Sequence, residues 1–275
     1  MHDRRICFIG GGNMARSLIG GLIADGCRPD TLCATDPDPE QRRALSQSFG
    51  IHTVASNVEG VSQCEVVVAA VKPQVLPLVA REIARTVTER PVLLISIAAG
   101  IREPDINRWL GGGAAIVRAM PNTPALLRSG VAALYANETT SESQREAAES
   151  ILRAVGAVVW LDDESLMDAV TAVSGSGPAY FFLFMEIIAE VANQLGLSPQ
   201  ISRLLTVETA LGAARMALET SEDISTLRHQ VTSPGGTTAA ALELLNSDQL
   251  RELIEKAIGK ARTRSVELAD KFGQD

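Results

Sequence analysis

Short apolar segments alternate with helical patterns through the first half of the chain, and this alternation constrains the fold more than any other feature. Helical patterns, among them 15–25, 39–49 and 141–155, lie between the apolar segments. The apolar segments predict strands at residues 6–9, 31–35, 51–54, 66–71, 92–95, 115–118, 131–135 and 158–161. Such alternation is typical of an α/β fold built on a parallel, doubly wound sheet.

Strand signals almost disappear after Asp162-Asp163, so we expect two domains, residues 1–162 and an all-helical 163–275. Helices are predicted at 178–195, 199–219, 238–246 and 248–271. The run 180–185 is apolar nearly all round, which places its helix in a core or between subunits. Because about 110 residues make a small independent core, we expect intertwined dimerisation to cover this helix.

The composition is that of an ordinary globular chain, with 46% hydrophobic residues and therefore enough apolar surface for a core. A formal net charge of −8 and the lack of a basic stripe argue against a nucleic-acid partner. The N-terminus has no signal-peptide pattern, and the longest apolar stretch, 179–185, is too short to span a bilayer. We therefore expect a cytoplasmic protein with no membrane partner.

Cys7, Cys27, Cys33 and Cys64 form no CxxC pair, so we expect buried, reduced thiols. No group of His, Cys, Asp and Glu has the spacing of metal ligands, and we expect no metal site.

Gly10, Gly12 and Ala15 follow the first predicted strand and fit the pattern G-x-G-x-x-[GA]. Gly10 permits a tight turn, Gly12 lets the backbone approach a pyrophosphate, and Ala15 allows close packing of helix on strand. In this strand–turn–helix setting, the pattern favours a dinucleotide-binding Rossmann domain over an ordinary glycine turn.

Cofactor preference depends on the end of the second strand. Asp36 lies about twenty residues after the glycines, where an acid would bind a ribose 2′-hydroxyl and favour NAD. Arg42 and Arg43 could instead bind a 2′-phosphate and favour NADP, although a solvated helix face explains them equally well. The sequence leaves this choice open.

Three later strand ends add candidate contacts, because ligands bind at the carboxyl ends of parallel strands. Lys72, the only lysine outside the last twenty residues, favours a ligand contact over a solvated side chain. The small residues 96–100 leave room for a nicotinamide, although close helix–sheet packing would use them too. Residues 118–124 form a stiff loop that suits either a pocket wall or an ordinary turn.

Residues 232–238 form a second candidate site between two helical patterns. Pro234 fixes its own φ, and Gly235 and Gly236 can adopt positive φ. Thr237 or Thr238 can then cap the next helix, whose free N–H groups attract a carboxylate or phosphate. A simple helix–helix connection is the alternative.

Acid–base catalysts are scarce. His2 is terminal, His52 starts a strand, and His229 fits a surface helical position. The lysines of the helical domain all lie in its final helix, and no Ser-His-Asp or Cys-His arrangement stands out. An imine would suit such a site as hydride acceptor, because its protonated carbon is already electrophilic. The protein then needs only to position the C=N bond and hydrogen-bond its nitrogen, as a threonine hydroxyl can do.

Together these segments resemble the pyrroline-5-carboxylate reductase family over the whole chain. The likeness rests on residues 10–15, 71–74, 96–100, 120–124, 168–171, 174–180 and, above all, 231–238. The resemblance implies reduction of 1-pyrroline-5-carboxylate to L-proline, the last step of proline biosynthesis, with NADP(H) or NAD(H) as cofactor. It also implies a homodimer interlocked through the helical domain, frequently assembled into a decamer. The active site would lie between one subunit's nucleotide domain and helical segments that include the partner's.

The resemblance also implies roles for individual residues. Thr238, the catalytic residue, would hydrogen-bond the pyrroline nitrogen. Ser233, Gly236 and Thr237 would surround the substrate carboxylate. Glu164 matches a substrate-site acid, with a capping or solvated acid as the alternative. The cofactor would contact Gly10, Gly12, Asn13, Met14, Ala15, Thr35, Asp36, Asn57, Ala70, Val71, Lys72, Pro73, Ala98, Ala99 and Met120.

Two other functions remain open at this point. Another two-domain dehydrogenase, acting on a hydroxy acid or a different imine, would share the nucleotide half; the hydroxy-acid type would need a placed lysine or histidine. A non-catalytic NADP(H)-binding sensor would keep residues 10–15. It would have no reason to keep 174–178 together with 233–238.

Overall fold

The computed structural model describes residues 4–246 and 248–274, so the predicted terminal position of His2 lies outside the described residues. All eight predicted strands are present, each within two residues of its predicted ends. They are β1 (Ile6–Ile9), β2 (Leu32–Thr35), β3 (His52–Val54), β4 (Val66–Ala69), β5 (Leu93–Ser96), β6 (Ala115–Met120), β7 (Gly130–Ala136) and β8 (Gly156–Trp160).

The strands form one sheet in the order β3-β2-β1-β4-β5-β6-β7-β8. Every neighbouring pair is parallel except β6 and β7, among the strands described. The chain reverses its direction of winding between β1 and β4, and in such sheets ligands bind outside the carboxyl ends of the strands at this point. The predicted α/β, Rossmann-type fold is confirmed.

Helices cover both faces of this sheet. Those of the first part of the chain are α1 (Asn13–Ala24), α2 (Pro39–Phe49), α3 (Asn57–Val61), α4 (Leu76–Thr88), α5 (Glu103–Trp109), α6 (Glu142–Arg153) and α7 (Met167–Val170). Strand β1 shows why both faces need cover: Ile6 and Phe8 pack into one core, whereas Cys7 and Ile9 pack into the other. Burial of a side chain such as Phe8 contributes about 1.5–3 kcal/mol to stability.

The rest of the chain is helical, as predicted, with α8 (Gly177–Gln194), α9 (Pro199–Glu219), α10 (Ile224–Gln230), α11 (Thr237–Leu245) and α12 (Asp248–Phe272). By compactness, one unit contains residues up to Ser176 together with those from Ala261 onward, and the other is Gly177–Lys260. The domain boundary at 162/163 stays a prediction.

Helix α8 carries an exposed apolar surface. Phe181 and Phe182 keep 67% and 65% of their surface exposed, and Leu204 and Leu205 of α9 are exposed as well. The continuous helical stretch Glu164–Gln194 has the length and composition to cross a membrane, and 11% of its apolar window is buried. The expectation that the longest apolar segment is too short to span a bilayer is therefore wrong by length and composition. That expectation rested on residues 179–185 alone, whereas the small residues before them continue the same helical stretch.

Candidate functional site

The turn after β1 has the geometry that its glycines predict. Gly10 has φ +98°, and a Cβ built on it would lie 2.7 Å from the carbonyl oxygen of Ala70. Its N–H donates a hydrogen bond of 2.8 Å to the carbonyl oxygen of Thr35, and Ala15 is fully buried against the sheet. The turn is thus held between the ends of β2 and β4, at the point where the winding reverses.

The N-terminus of α1 is open toward solvent. Gly12 is the N-cap residue, and within the part of the chain that the structure describes no side-chain cap bonds the first turn, which begins with Asn13 and Met14. A Cβ built on Gly12 would meet no atom of the described residues within 4 Å. Unsatisfied N–H groups at the start of a helix attract anions. The site therefore fits the pyrophosphate of a dinucleotide.

Asp36 binds backbone N–H groups through both carboxylate oxygens. Oδ2 accepts from Gly11 N at 2.8 Å and Oδ1 from Asp38 N at 2.9 Å. Arg42 donates through Nη1 to the carbonyl oxygens of Asp36 and Pro37, at 2.7 and 2.9 Å. Asp36 thus fixes the shape of the glycine turn, and Arg42 brings a guanidinium to the end of β2.

Thr35 and Asn57 are joined in one hydrogen-bonded chain. The buried Thr35 hydroxyl donates to Asn57 Oδ1 at 2.6 Å, and Asn57 Nδ2 donates to Glu82 Oε2 at 2.8 Å. This chain links β2, α3 and α4, and it holds Asn57 beside the strand end that carries Asp36. Nothing in the local sequence of Glu82 indicated its part.

The other predicted cofactor contacts lie at the ends of β4, β5 and β6, and their side chains differ in how much they are exposed to solvent. Ala70 and Val71 are half-buried, Pro73 and Ala99 likewise, and Lys72 is exposed. Ala98 is nearly buried in the second core. Met120 is half-buried, and its Cε would lie 2.5 Å from a Cβ built on Gly175, so the thioether packs on that glycine.

Glu164 is part of a buried polar network. Its Oε1 accepts from Arg118 Nη1 and from the backbone N–H of Glu103, both at 2.6 Å. The Arg118 and Glu164 side chains are only 11% and 19% exposed. Asn137 extends the network by donating to Glu103 Oε1 at 2.8 Å, and burial raises the pKa of the Glu103 carboxyl above its usual value.

No local pattern predicted this network, because its members lie on separate elements far apart in the chain. Geometrically, Glu164 ties the segment before α7 to β6 and α5 of the first unit. Its predicted role at the substrate stays a prediction.

The loop before α11 brings small hydroxyls to a helix start. Thr232 donates through Oγ1 to the carbonyl oxygen of Arg228 at 2.6 Å, and Gly235 has φ +69°. Gly236 is the N-cap of α11, so the prediction that Thr237 or Thr238 caps this helix is wrong. The glycine takes that position because the Ser233 carbonyl oxygen accepts its N–H at 3.0 Å and closes the turn.

Because Gly236 occupies the N-cap position, the hydroxyls of Thr237 and Thr238 do not cap α11. No side chain caps α11 within the described residues. Ser233 and Thr237 are exposed, and Gly236 and Thr238 are half-buried. The first turn of α11 therefore presents backbone N–H groups and hydroxyls together, the donors that a small carboxylate needs.

Comparison with known proteins matches both halves of the chain. Residues 164–268 match a family model described as pyrroline-5-carboxylate reductase dimerisation. Residues 5–100 match a model described as NADP oxidoreductase coenzyme F420-dependent. The pyrroline-5-carboxylate reductase of Pseudomonas aeruginosa is 48% identical over 274 residues, which cover 100% of each chain. The chain belongs to the pyrroline-5-carboxylate reductase family.

Solved structures of family members agree with this assignment. A pyrroline-5-carboxylate reductase from Coxiella burnetii is 47% identical, with a TM-score of 0.94 over 97% of this chain and 99% of that one. The pyrroline carboxylate reductase of Plasmodium falciparum, solved with NADP bound, is 27% identical, with a TM-score of 0.86 over 98% and 99% of the two chains. The predicted resemblance is confirmed.

Proposed function

We propose that this chain is a pyrroline-5-carboxylate reductase, which reduces 1-pyrroline-5-carboxylate to L-proline with NADPH in the last step of proline biosynthesis. The observation that carries the proposal is the 48% identity to the Pseudomonas aeruginosa reductase over the full length of both chains. The open N-terminus of α1 and the hydroxyl-rich start of α11 supply sites for an anionic cofactor and a small carboxylate.

The cofactor is held by the predicted contacts of the first unit. The first-turn N–H groups of Asn13 and Met14 bind the pyrophosphate, and Gly12 leaves it room to approach. Thr35 and Asn57 contact the adenosine end, and Ala98, Ala99 and Met120 contact the nicotinamide end. When bound, the dinucleotide supplies the hydride for the reaction.

Asp36 and Arg42 decide the choice between NADPH and NADH. Both Asp36 oxygens accept backbone N–H groups, so the glycine turn uses part of the carboxylate's accepting capacity and leaves less of it for a ribose 2′-hydroxyl. Arg42 lies at the same strand end, and Arg43 is exposed beside it. Guanidinium groups bind phosphate strongly. We infer that NADPH is the preferred cofactor.

The substrate is held by the loop before α11. Ser233, Gly236 and Thr237 surround the substrate carboxylate; the Ser233 and Thr237 hydroxyls donate hydrogen bonds to it, and the N-terminus of α11 adds its partial positive charge. The Thr238 hydroxyl accepts a hydrogen bond from the protonated imine nitrogen and so orients the C=N bond. Because the imine is already protonated, reduction of its carbon yields the amine without a protein acid, which suits the scarcity of histidine and lysine.

A second copy of the chain covers the apolar face of α8 and α9. Charged side chains at a bilayer centre are costly, and Glu186 and Glu190 interrupt the apolar surface of α8. The dimerisation family model spans the same helices. We infer a cytoplasmic homodimer through domain 163–275, assembled further into a decamer, with no membrane or nucleic-acid partner. Light scattering at micromolar concentration tests this, and a monomer would contradict it.

The activity is tested directly. Purified protein is mixed with 1-pyrroline-5-carboxylate and either NADPH or NADH, and loss of cofactor absorbance is followed together with proline formation. We expect proline with both cofactors and a faster rate with NADPH. Absence of proline with either cofactor would refute the function, whereas a faster rate with NADH would refute only the cofactor preference. A reaction without protein is the control.

A further inference from the structure

Three of the four cysteines form a cluster that their positions in sequence conceal. Cys7 lies in β1, Cys33 is its register partner in the adjacent strand β2, and Cys64 follows α3. Their Sγ atoms all lie within 4.8 Å of one another, and those of Cys33 and Cys64 are 4.0 Å apart. All three are free thiols. We call these three residues the thiol cluster.

The spacing of the thiol cluster matches a metal site. Zinc–sulfur bonds are about 2.3 Å long, which places the sulfurs of a tetrahedral or trigonal site about 3.8–4.0 Å apart. The separation of Cys33 and Cys64 already has this value, and the widest separation in the cluster exceeds it by less than about 1 Å. Small side-chain rotations would therefore place all three sulfurs around one ion.

The backbone of Gly60 keeps the space beside the cluster small and free of a side chain. Its carbonyl oxygen lies 3.5 Å from the sulfur of Cys33 and 3.2 Å from that of Cys64. A Cβ built on Gly60 would lie 3.1 Å from the sulfur of Cys7 and 2.3 Å from the Thr35 methyl carbon. The thiols make only weak hydrogen bonds here, which a bound cation would replace with stronger bonds to thiolates.

Solvent reaches the cluster from one side. A surface pocket of about 300 Å³ is lined by Cys33 and Cys64, together with polar residues that include His52, Glu59 and Gln63. Cys7 is fully buried on the inner side. The pocket therefore offers a route from solvent to the sulfurs of Cys33 and Cys64.

Three sulfur ligands determine the class of ion. Thiolates are soft ligands that select d¹⁰ cations such as Zn²⁺, Cd²⁺ and Cu⁺, whereas Mg²⁺ and Ca²⁺ prefer oxygen. We propose that Cys7, Cys33 and Cys64 bind one thiophilic d¹⁰ cation, with a water molecule from the pocket as fourth ligand. The bound ion links β1, β2 and the segment after α3, so it stabilises the fold around the glycine turn without contributing to the chemistry.

The test is a titration of the fully reduced chain with Cd²⁺ in a buffer that contains a phosphine reductant. Thiolate-to-cadmium absorption in the ultraviolet reports ligation, and equilibrium dialysis gives stoichiometry and affinity. We expect one Cd²⁺ per chain, retained in the presence of excess Mg²⁺ or Ca²⁺ because these ions prefer oxygen ligands. Affinity should fall at least tenfold in Cys33→Ser and in Cys64→Ser.

Cys27→Ser is the matched control. Cys27 is also buried, but its sulfur contacts the Thr31 hydroxyl at 3.5 Å, outside the thiol cluster. This variant should bind Cd²⁺ as the wild type does, and Cd²⁺ should raise the Tm of both. Circular dichroism checks that each variant is folded, and the half-buried Cys33 gives the variant least disturbed by serine. Absence of stoichiometric Cd²⁺ binding, or unchanged affinity in a folded Cys33→Ser, would overturn the proposal.

Discussion

Replacing Gly10 and Gly12 separately with alanine should have different effects: the first should lower the stability of the fold, and the second should weaken cofactor binding. At Gly10 the alanine must adopt φ +98°, which costs about 1–2 kcal/mol. Its Cβ would also lie 2.7 Å from the Ala70 carbonyl oxygen, and such overpacking costs about 1–3 kcal/mol. Reduced entropy of the unfolded chain returns about 0.4–1 kcal/mol. With the middle value of each range, the net loss of folding free energy is about 3 kcal/mol.

At Gly12 the same substitution meets neither penalty. Its φ of −69° suits any residue, and no atom of the described chain lies within 4 Å of the new Cβ. Loss of a favourable N-cap residue costs up to about 1 kcal/mol, which the unfolded-state effect largely offsets. The methyl group instead fills the space through which the pyrophosphate approaches. We therefore expect nearly unchanged stability and at least tenfold weaker NADPH binding.

The assays are thermal unfolding without cofactor and NADPH titration followed by intrinsic or cofactor fluorescence. A change of 1 kcal/mol shifts the Tm of a chain of this size by about 2–4 °C, so a loss of about 3 kcal/mol in Gly10→Ala should lower it by about 6–12 °C. Gly12→Ala should shift the Tm by less than about 4 °C. The reasoning is refuted if the two variants have equal Tm values, or if Gly12→Ala binds NADPH as tightly as the wild type.

Four further variants test the rest of the structure. Thr238→Ala should lower turnover by about 5- to 150-fold, the value of one hydrogen bond of about 1–3 kcal/mol, with NADPH affinity unchanged; wild-type turnover would remove Thr238 from the mechanism. Glu164→Ala should lower the Tm by about 6–12 °C because it leaves the mostly buried Arg118 unpaired, at a cost of about 3 kcal/mol; an unchanged Tm would show that the pair does not stabilise the fold. Phe182→Asp should give monomers in light scattering, and retention of the wild-type mass would place the interface elsewhere. Burial raises the pKa of Glu103, so its contribution to stability is complete below the ordinary glutamate pKa and is lost as pH rises through the raised one. As the pH rises from about 4 to 7, the free energy of unfolding should therefore fall less in Glu103→Gln than in the wild type. Denaturant titrations at several pH values measure this, and the same pH dependence in both proteins would contradict it.

Local patterns in the sequence were sufficient to predict the strands, the main helices and the class of fold. Buried parallel strands appear as continuous apolar runs, so β4 and β5 could be read from valine, leucine and isoleucine alone. The positive φ of Gly10 was equally predictable, because a glycine that follows β1 directly in the chain permits that backbone conformation, whereas its close approach to Ala70 depends on the packing of β4 beside β1. Where a helix started with a competing cap, as at Gly236 before Thr237, the local pattern was ambiguous and the prediction was wrong.

Side chains that meet across elements were decided only by the tertiary structure. Nothing near Glu164 in the sequence indicates Arg118, because the pair forms only when β6 and the segment before α7 are placed together. The sulfurs of Cys7, Cys33 and Cys64 converge for the same reason: parallel register pairs the first two, and the turn after α3 brings the third. Sequence periodicity records which face of an element is buried, whereas strand order and register determine which distant side chains share that face. The sequence therefore determined the fold class and the glycine turn, and the packing of the sheet determined the polar network and the thiol cluster.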